Sequence, residues 1–292
     1  MQTRTSTKAA QLVAASARTT LDPFTEIDWS IDVVDDSSYH LPPEKLPLYG
    51  TLVWDAMSDE QRRNYSRHEC AALCAAGIWF ENKLMQIVLR HLAGLPVTDP
   101  SHRYLLVEIA DECRHSTMFG EYIRRAGTPT YAPISTGELG DVDSLPGGRA
   151  MGYLLILAVE ELLDMCNRAT MRDERIHPVS RQIAKLHVLE EARHVSFAKT
   201  YLAELWPSLP TEEREAAARL APVAVAFVAE LTVNDHVYET LDITNGADAA
   251  RTNPRHRARI VADLAKLSGF LTELGVIDEH NRHEWVERGL AA

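Results

Sequence analysis

Glutamate and histidine stand three residues apart twice in this 292-residue chain, as Glu112-Cys113-Arg114-His115 and as Glu191-Ala192-Arg193-His194. On a helix, a three-residue step places both side chains on one face, where a carboxylate and an imidazole can reach the same metal ion. With 24 Glu and 12 His in the chain, shuffling alone would give about one such pair. The pairs therefore gain meaning only from their neighbours. Leu105, Ile109 and Phe119 share the face of Glu112, and Ala184, Val188, Val195 and Ala198 share that of Glu191, so both sets point inward.

Two more glutamates sit in similar company. Glu81 lies among Gly77, Ile78, Leu84, Met85 and Val88, and Glu160 among Tyr153, Ile156, Leu157 and Leu163. Glu160 competes with Glu161, because a helix turns only one of two adjacent residues inward. Buried carboxylates without a partner are costly, and four of them on four helices require a shared positive charge. Two divalent ions supply it: four carboxylates carry about -4 and two ferrous ions about +4. The chain order Glu, Glu-x-x-His, Glu, Glu-x-x-His is the di-metal carboxylate pattern of helical bundles, far more specific than either pair alone. His187 adds an imidazole one turn before Glu191, giving His-x-x-x-Glu-x-x-His and one ion with a more nitrogen-rich shell. On spacing alone that position stays open, since a lone His on an apolar face is often a core residue or a donor to another ligand. Glu108 and Glu190 read as partners of Arg114 and Arg193, while Asp111, Asp164 and Asn167 are candidates to orient imidazoles.

The elements that must hold these residues read as helices, since apolar residues recur at three- and four-residue intervals from about Ser58 onward. One long helix begins near Cys70 and reaches about His91. Asp99 caps the next, with Pro100 in its first turn and Gly127-Thr128-Pro129 at its end. After a loop carrying Gly137, Gly140, Pro146, Gly147 and Gly148, a third runs from about Ala150 to Arg172. The fourth opens at Pro178 and persists to Trp206-Pro207, a further helix spans Thr211 to about Thr240, and two shorter ones follow Asn253. Residues 23–50 suggest an irregular wrap. The Ser, Thr and Ala of residues 1–22 suggest a mobile tail, with Ala9 to Ala17 as a possible short helix. The expected fold is all-α, a ferritin-like four-helix bundle with added helices, and residues 23–292 form one domain.

Composition removes several function classes. A net charge of -12, from 42 acidic and 30 basic residues, gives no footprint for nucleic acid. Cys70, Cys74, Cys113 and Cys166 do not form the framework of a small secreted domain, and neither a signal peptide nor a membrane span is expected, so a cytoplasmic location fits best. No Ser/His/Asp arrangement, phosphate-cradling glycine loop or dinucleotide fingerprint offers a competing catalytic site.

With its ligand pattern, the motifs Leu41-Pro42-Pro43, Tyr49-Gly50-Thr51, Ser66-Arg67-His68-Glu69 and Glu81-Asn82, the chain resembles the AurF family of non-haem di-iron arylamine N-oxygenases. The resemblance extends to His194 and implies seven protein ligands: Glu81, Glu112, His115, Glu160, His187, Glu191 and His194. It favours Glu160 over Glu161 and makes His187 a ligand. It further implies two iron ions, with manganese as the alternative, and O2 as co-substrate. The implied reaction takes an aromatic amine through hydroxylamine and nitroso stages toward a nitro group. Electrons would come from an external reductase or ferredoxin, and the enzyme would be a homodimer. No motif matches the family's substrate-recognition residues. The same site on another enzyme would hydroxylate or desaturate carbon, and a ferritin-like iron-oxidising or storage protein is the reading outside enzymes of that kind.

Overall fold

The computed structural model describes residues 3–34, 37–131 and 144–292; of the expected glycine loop, Gly137 and Gly140 lie outside them. The described residues contain no strand, only an isolated bridge between Tyr39 and Ile176 that ties the N-terminal wrap to the chain before the fourth long helix. The helices are α1 (Arg4–Ser16), α2 (Pro23–Glu26), α3 (Leu52–Ala56), α4 (Asp59–Ala93), α5 (Pro100–Ala126), α6 (Arg149–Thr170), α7 (Pro178–Leu205), α8 (Thr211–Glu230), α9 (Asp235–Thr240), α10 (Gly246–Thr252), α11 (Pro254–Asp263), α12 (Ala265–Leu274) and α13 (Arg282–Glu287). The four long helices α4 to α7 form the bundle. Helix α4 packs closely along α5, and α6 along α7, while α4 and α6 meet along a more open seam.

Caps set the boundaries. Asp99 accepts from the Ser101 amide at 2.7 Å ahead of Pro100, and Gly127 ends α5 at φ 64°, a left-handed conformation that favours glycine. Helix α4 starts at Asp59 rather than near Cys70 because Ser58 and Gln61 form a reciprocal capping box, with amide bonds of 2.8 and 3.2 Å. Its first turns pack against Val33, Trp54 and other residues of the wrap, so they carry no one-sided apolar stripe. Helix α8 ends at Glu230, short of Thr240, because Asn234 caps a separate α9 by accepting from the His236 amide at 3.1 Å. After Asn253 there are three helices, α11 to α13, instead of two. The stretch Thr211–Thr240 is long and apolar enough to cross a membrane by length and composition; in this fold its Ala217, Ala221, Val225 and Val228 are buried and α8 packs on α6.

The tail expected over residues 1–22 is in fact the helix α1 from Arg4 to Ser16, lying on α5 and α7. It docks through Ala9 and Leu12, small enough to leave no clear apolar period in the sequence. Its N-terminus is anchored electrostatically. The Glu204 carboxylate accepts from the Arg4 and Thr5 amides at 3.0 and 2.9 Å and from the Thr5 hydroxyl, and Ser6 reaches Asp99 at 3.0 Å.

The core divides into two apolar clusters. One holds Leu84, Leu105, Leu157 and Phe197; the other holds Cys74, Met118, Cys166 and Ile183. On each of α4 to α7 these pairs of residues bracket the glutamates and histidines singled out above, so a polar layer cuts the bundle across its middle.

Glu204→Ala removes the anion at the N-terminus of α1. We expect about 1 kcal/mol of local destabilisation, read as faster amide exchange over residues 4–16 with little change in the melting of the bundle. Unchanged exchange would mean that Ala9 and Leu12 hold α1 unaided.

Candidate metal centre

All seven residues named from the sequence meet in this layer, none more than 2% exposed. The two Glu-x-x-His pairs face each other across α5 and α7. His115 Nδ1 lies 2.9 Å from Glu112 Oε2 and 3.1 Å from Glu191 Oε1, and His194 Nδ1 lies 2.9 Å from Glu112 Oε1 and from Glu191 Oε2. Each carboxylate thus presents one oxygen to each imidazole, the disposition of two carboxylates that bridge two ions. Glu81 and His187 complete one end: His187 Nε2 is 3.6 Å from both Glu81 Oε1 and Glu191 Oε1, and Glu81 is 3.9 Å from His115. Glu81, His115, His187 and Glu191 can share one ion, and Glu112, Glu191 and His194 a second. Glu160 lies outside both groups but sits against Glu191 and Glu112, at the end opposite Glu81. Glu161 turns away from the layer and pairs with Lys199 at 2.7 Å.

The donor set suits a pair of divalent ions on two counts. Four carboxylates and three imidazoles form a shell fit for iron or manganese. In addition, Glu81 Oε2, Glu112 Oε1, Glu160 Oε2, His187 Nε2 and Glu191 Oε1 are all buried without a hydrogen-bond partner; Glu112 Oε1, close as it is to His194, is not aligned with it as a hydrogen bond. So many orphaned atoms in one place are costly unless they serve as ligands. Ionisation carries the same message. Burial, reinforced by the charge of neighbouring carboxylates, pushes Glu81 and Glu160 well above the usual range. Burial and Glu191 act the same way on Glu112, but His194 and His115 outweigh them and hold it down to about 2. His115 and His194 rise well above 6.5 against their burial because Glu112 and Glu191 face them. Without metal the layer is neutralised by protons, and metal ions would take their place.

Each imidazole is also held from behind. His115 Nε2 is 3.0 Å from Glu190 Oε2, and His194 Nε2 is 3.2 Å from Asp111 Oδ2. The Asn167 amide lies 3.0 Å from His187 Nδ1; ligation through Nε2 requires Nδ1 to carry the proton and the amide oxygen to accept it. Arg193 spans Asp111 and Glu190 at 3.2 and 3.4 Å, and Arg114 bonds Asp111 and lies 3.6 Å from Glu190. Asp164 pairs with Arg168 at 2.6 Å and takes no part. The spacing of Glu190 and Arg193 in the sequence suggested their pairing, but not that Glu190 crosses to an imidazole on another helix.

Two voids open along the α4/α6 seam. The first, about 40 Å³, is lined by Trp79, Phe80, Lys83, Ile156 and Val159 and ends at Glu160. Lys83 lies 5.7 Å from the centre of the Trp79 ring, so it does not pair with Glu81. The second, about 60 Å³, contains Glu69, Leu73, Leu163 and Cys166. Burial lifts Glu69 to about 7, against hydrogen bonds from Tyr65 and Tyr238 that lower it.

Metal analysis should find two ions per chain, and Glu191→Ala should lose both, since that carboxylate serves both ends. Glu190→Gln should keep the fold and weaken metal affinity by about 10–100-fold; an unchanged affinity would mean that the helix alone orients His115. Because the folded-state value of Glu69 lies above its unfolded value of 4.5, its contribution to stability is complete below pH 4.5 and is lost as the pH rises through about 7. Glu69→Gln should therefore stabilise the protein at pH 8, by on the order of 3 kcal/mol, and change little at pH 4. Denaturant titrations at the two pH values check this, and equal shifts at both would refute it.

Comparison with known proteins places this arrangement in a family. The family described as P-aminobenzoate N-oxygenase AurF matches residues 2–275. Uncharacterized proteins Mb0909 of Mycobacterium bovis and MT0908 and Rv0885 of Mycobacterium tuberculosis are each 30% identical over 214 residues, covering 70% of this chain and 62% of theirs. The match to these relatives therefore spans less than two thirds of their length. The family match runs through α1, which the sequence alone left as a tail, and takes in every residue of the polar layer: with its all-α, ferritin-like fold, the chain belongs to the AurF family.

Proposed function

We propose that this protein is an O2-dependent di-iron oxygenase that oxidises the nitrogen of an aromatic amine toward a nitro group. The observation that carries the reading is the layer of four carboxylates and three imidazoles lying at the end of an apolar cleft with aromatic walls. Glu81, Glu112, His115, Glu160, His187, Glu191 and His194 would hold the two irons, which when bound supply the activation of O2.

The chain's own residues provide the rest. Glu190, Asp111 and Asn167 fix the imidazoles, so that the ligands need little rearrangement between oxidation states. The surrounding clusters, with Leu105, Leu157, Met118 and Phe119 buried, keep water from the layer. An amine enters through the α4/α6 seam and is oriented by Trp79 and Phe80, whose rings meet edge to face at 4.9 Å. A guest of benzene size occupies a cavity of about 150 Å³, larger than the cleft, so these two half-buried side chains swing aside as the ring enters. With no dinucleotide fingerprint in the chain, electrons come from a separate reductase or ferredoxin. Four cysteines without a disulfide agree with a reducing cytoplasm.

The test is to load the protein with ferrous iron without air, add O2 and p-aminobenzoate, and identify the products by mass spectrometry with labelled oxygen. We expect O2 uptake with label on the amine nitrogen, and none of either from Glu112→Ala. Label on a ring carbon would turn the reading to carbon hydroxylation. Iron oxidation with no organic product from a panel of arylamines would turn it to iron handling.

A further inference from the structure

In the half of the bundle beyond the metal layer, phenols are buried where phenylalanine would pack as well. Tyr104 on α5 and Tyr153 on α6 are fully buried, and His91 on α4 nearly so. The Tyr104 hydroxyl has no hydrogen-bond partner, a cost that packing does not explain. These residues form a connected path. Phe197, one turn after His194, has its ring centre 4.8 Å from that of Tyr104 and 6.3 Å from that of Tyr153. Tyr153 is 4.6 Å from Tyr201, and Tyr201 is 4.3 Å from His91. At the inner end, Tyr104 lies within the electrostatic reach of His194 and Glu191. At the outer end, half-buried Tyr201 accepts a hydrogen bond at 3.3 Å from the exposed Arg149. The Tyr153 hydroxyl is 2.7 Å from His91 Nδ1, and burial keeps that imidazole neutral at physiological pH, down to about 4.

We propose that Tyr104, Phe197, Tyr153 and Tyr201, with His91 as proton acceptor, carry oxidising equivalents from the metal layer to the surface when no amine is bound. The inference rests on the oxygenase reading. The Tyr153 phenol gives up one electron, which passes by way of Phe197 and Tyr104 to the O2-oxidised metal centre, reducing it by one electron. The O–H bond of Tyr153 breaks and its proton moves to His91 Nδ1, leaving a neutral phenoxyl radical beside an imidazolium. An electron from Tyr201, restored at the surface by a soluble thiol, and the returning proton regenerate the phenol. Two features suit the task. Oxidation of a buried phenol is difficult unless its proton has somewhere to go, and only Tyr153 on this path is bonded to a neutral imidazole. The path also leaves the layer away from the cleft lined by Trp79 and Phe80, so it does not compete with substrate entry.

The experiment mixes the ferrous-loaded full chain with O2 in the absence of amine, freezes it at intervals and records electron paramagnetic resonance. A tyrosyl signal is expected in the parent protein, lost in Tyr153→Phe and retained in Tyr122→Phe, which alters a buried tyrosine outside the path. His91→Gln should lose the signal while keeping bound iron and melting temperature, an effect that a purely structural role for His91 would not produce. The parent protein should also survive O2 exposure with fewer oxidised residues by peptide mass spectrometry than Tyr153→Phe. O2 uptake without a radical in the parent, or a radical unchanged in Tyr153→Phe, overturns the path and leaves the oxygenase reading intact. Absence of bound iron or of O2 uptake overturns both.

Discussion

Mutual repulsion among four buried carboxylates is the constraint around which this bundle is arranged. Glu81, Glu112, Glu160 and Glu191 stand in one layer, each at most 2% exposed, and cannot all be ionised there without positive charge. Metal ions or protons must supply it. Hydrophobic burial alone would favour one continuous core, whereas here the apolar residues form a cluster on each side of the polar layer. The helices must cross that layer without a break to keep both clusters in register, which is why α4, α5 and α7 run to 35, 27 and 28 residues.

Holding the layer in place requires a second set of charges outside it. Asp111 and Glu190 fix His194 and His115, but each is itself a buried acid. Arg114 and Arg193 answer that charge by reaching across α5 and α7 to both acids. Packing supplies the remaining constraint. The Phe119 ring lies 5.3 Å from His187 and 6.5 Å from His115, and a Cβ at Gly77 would come within 3.0 Å of it. A glycine inside a helix costs about 1 kcal/mol relative to alanine; at Gly77 that cost leaves room for the ring that backs two imidazoles.

The cage was legible in the sequence because its signal is redundant: two Glu-x-x-His pairs, two lone inward glutamates and the four helices that carry them all give the same answer. Glu160 was separable from Glu161 only through the family resemblance, since both have apolar neighbours; the structure shows Lys199 engaging Glu161 from α7, a contact no local pattern predicts. The roles of Asp111, Asn167 and Glu190 were equally hidden, because each depends on which imidazole lies opposite. Helix α1 was missed for a different reason. It docks by the close approach of small residues and by a carboxylate about 200 positions away, neither of which produces an amphipathic period. The early start of α4 was obscured because the wrap covers the outer face of its first turns, removing the polar stripe that normally marks a surface helix.

The two ends of the layer are chemically different, and that difference gives the proposed site a direction. At one end Glu81, His115 and His187 gather two imidazoles around one position, backed by Phe119 and closed to the seam. At the other, His194 stands with Glu160, and Glu160 is the residue of the layer that lines the cleft. An amine entering along Trp79 and Phe80 therefore meets the carboxylate-rich end first. Carboxylates can shift between one and two bound oxygens with little movement of the chain, whereas an imidazole fixed from behind cannot. The geometry puts the adaptable ligand where substrate arrives and the rigid ones where the scaffold must not yield, so the oxygenase reading places the most variable part of the reaction beside Glu160 and the least variable beside His187.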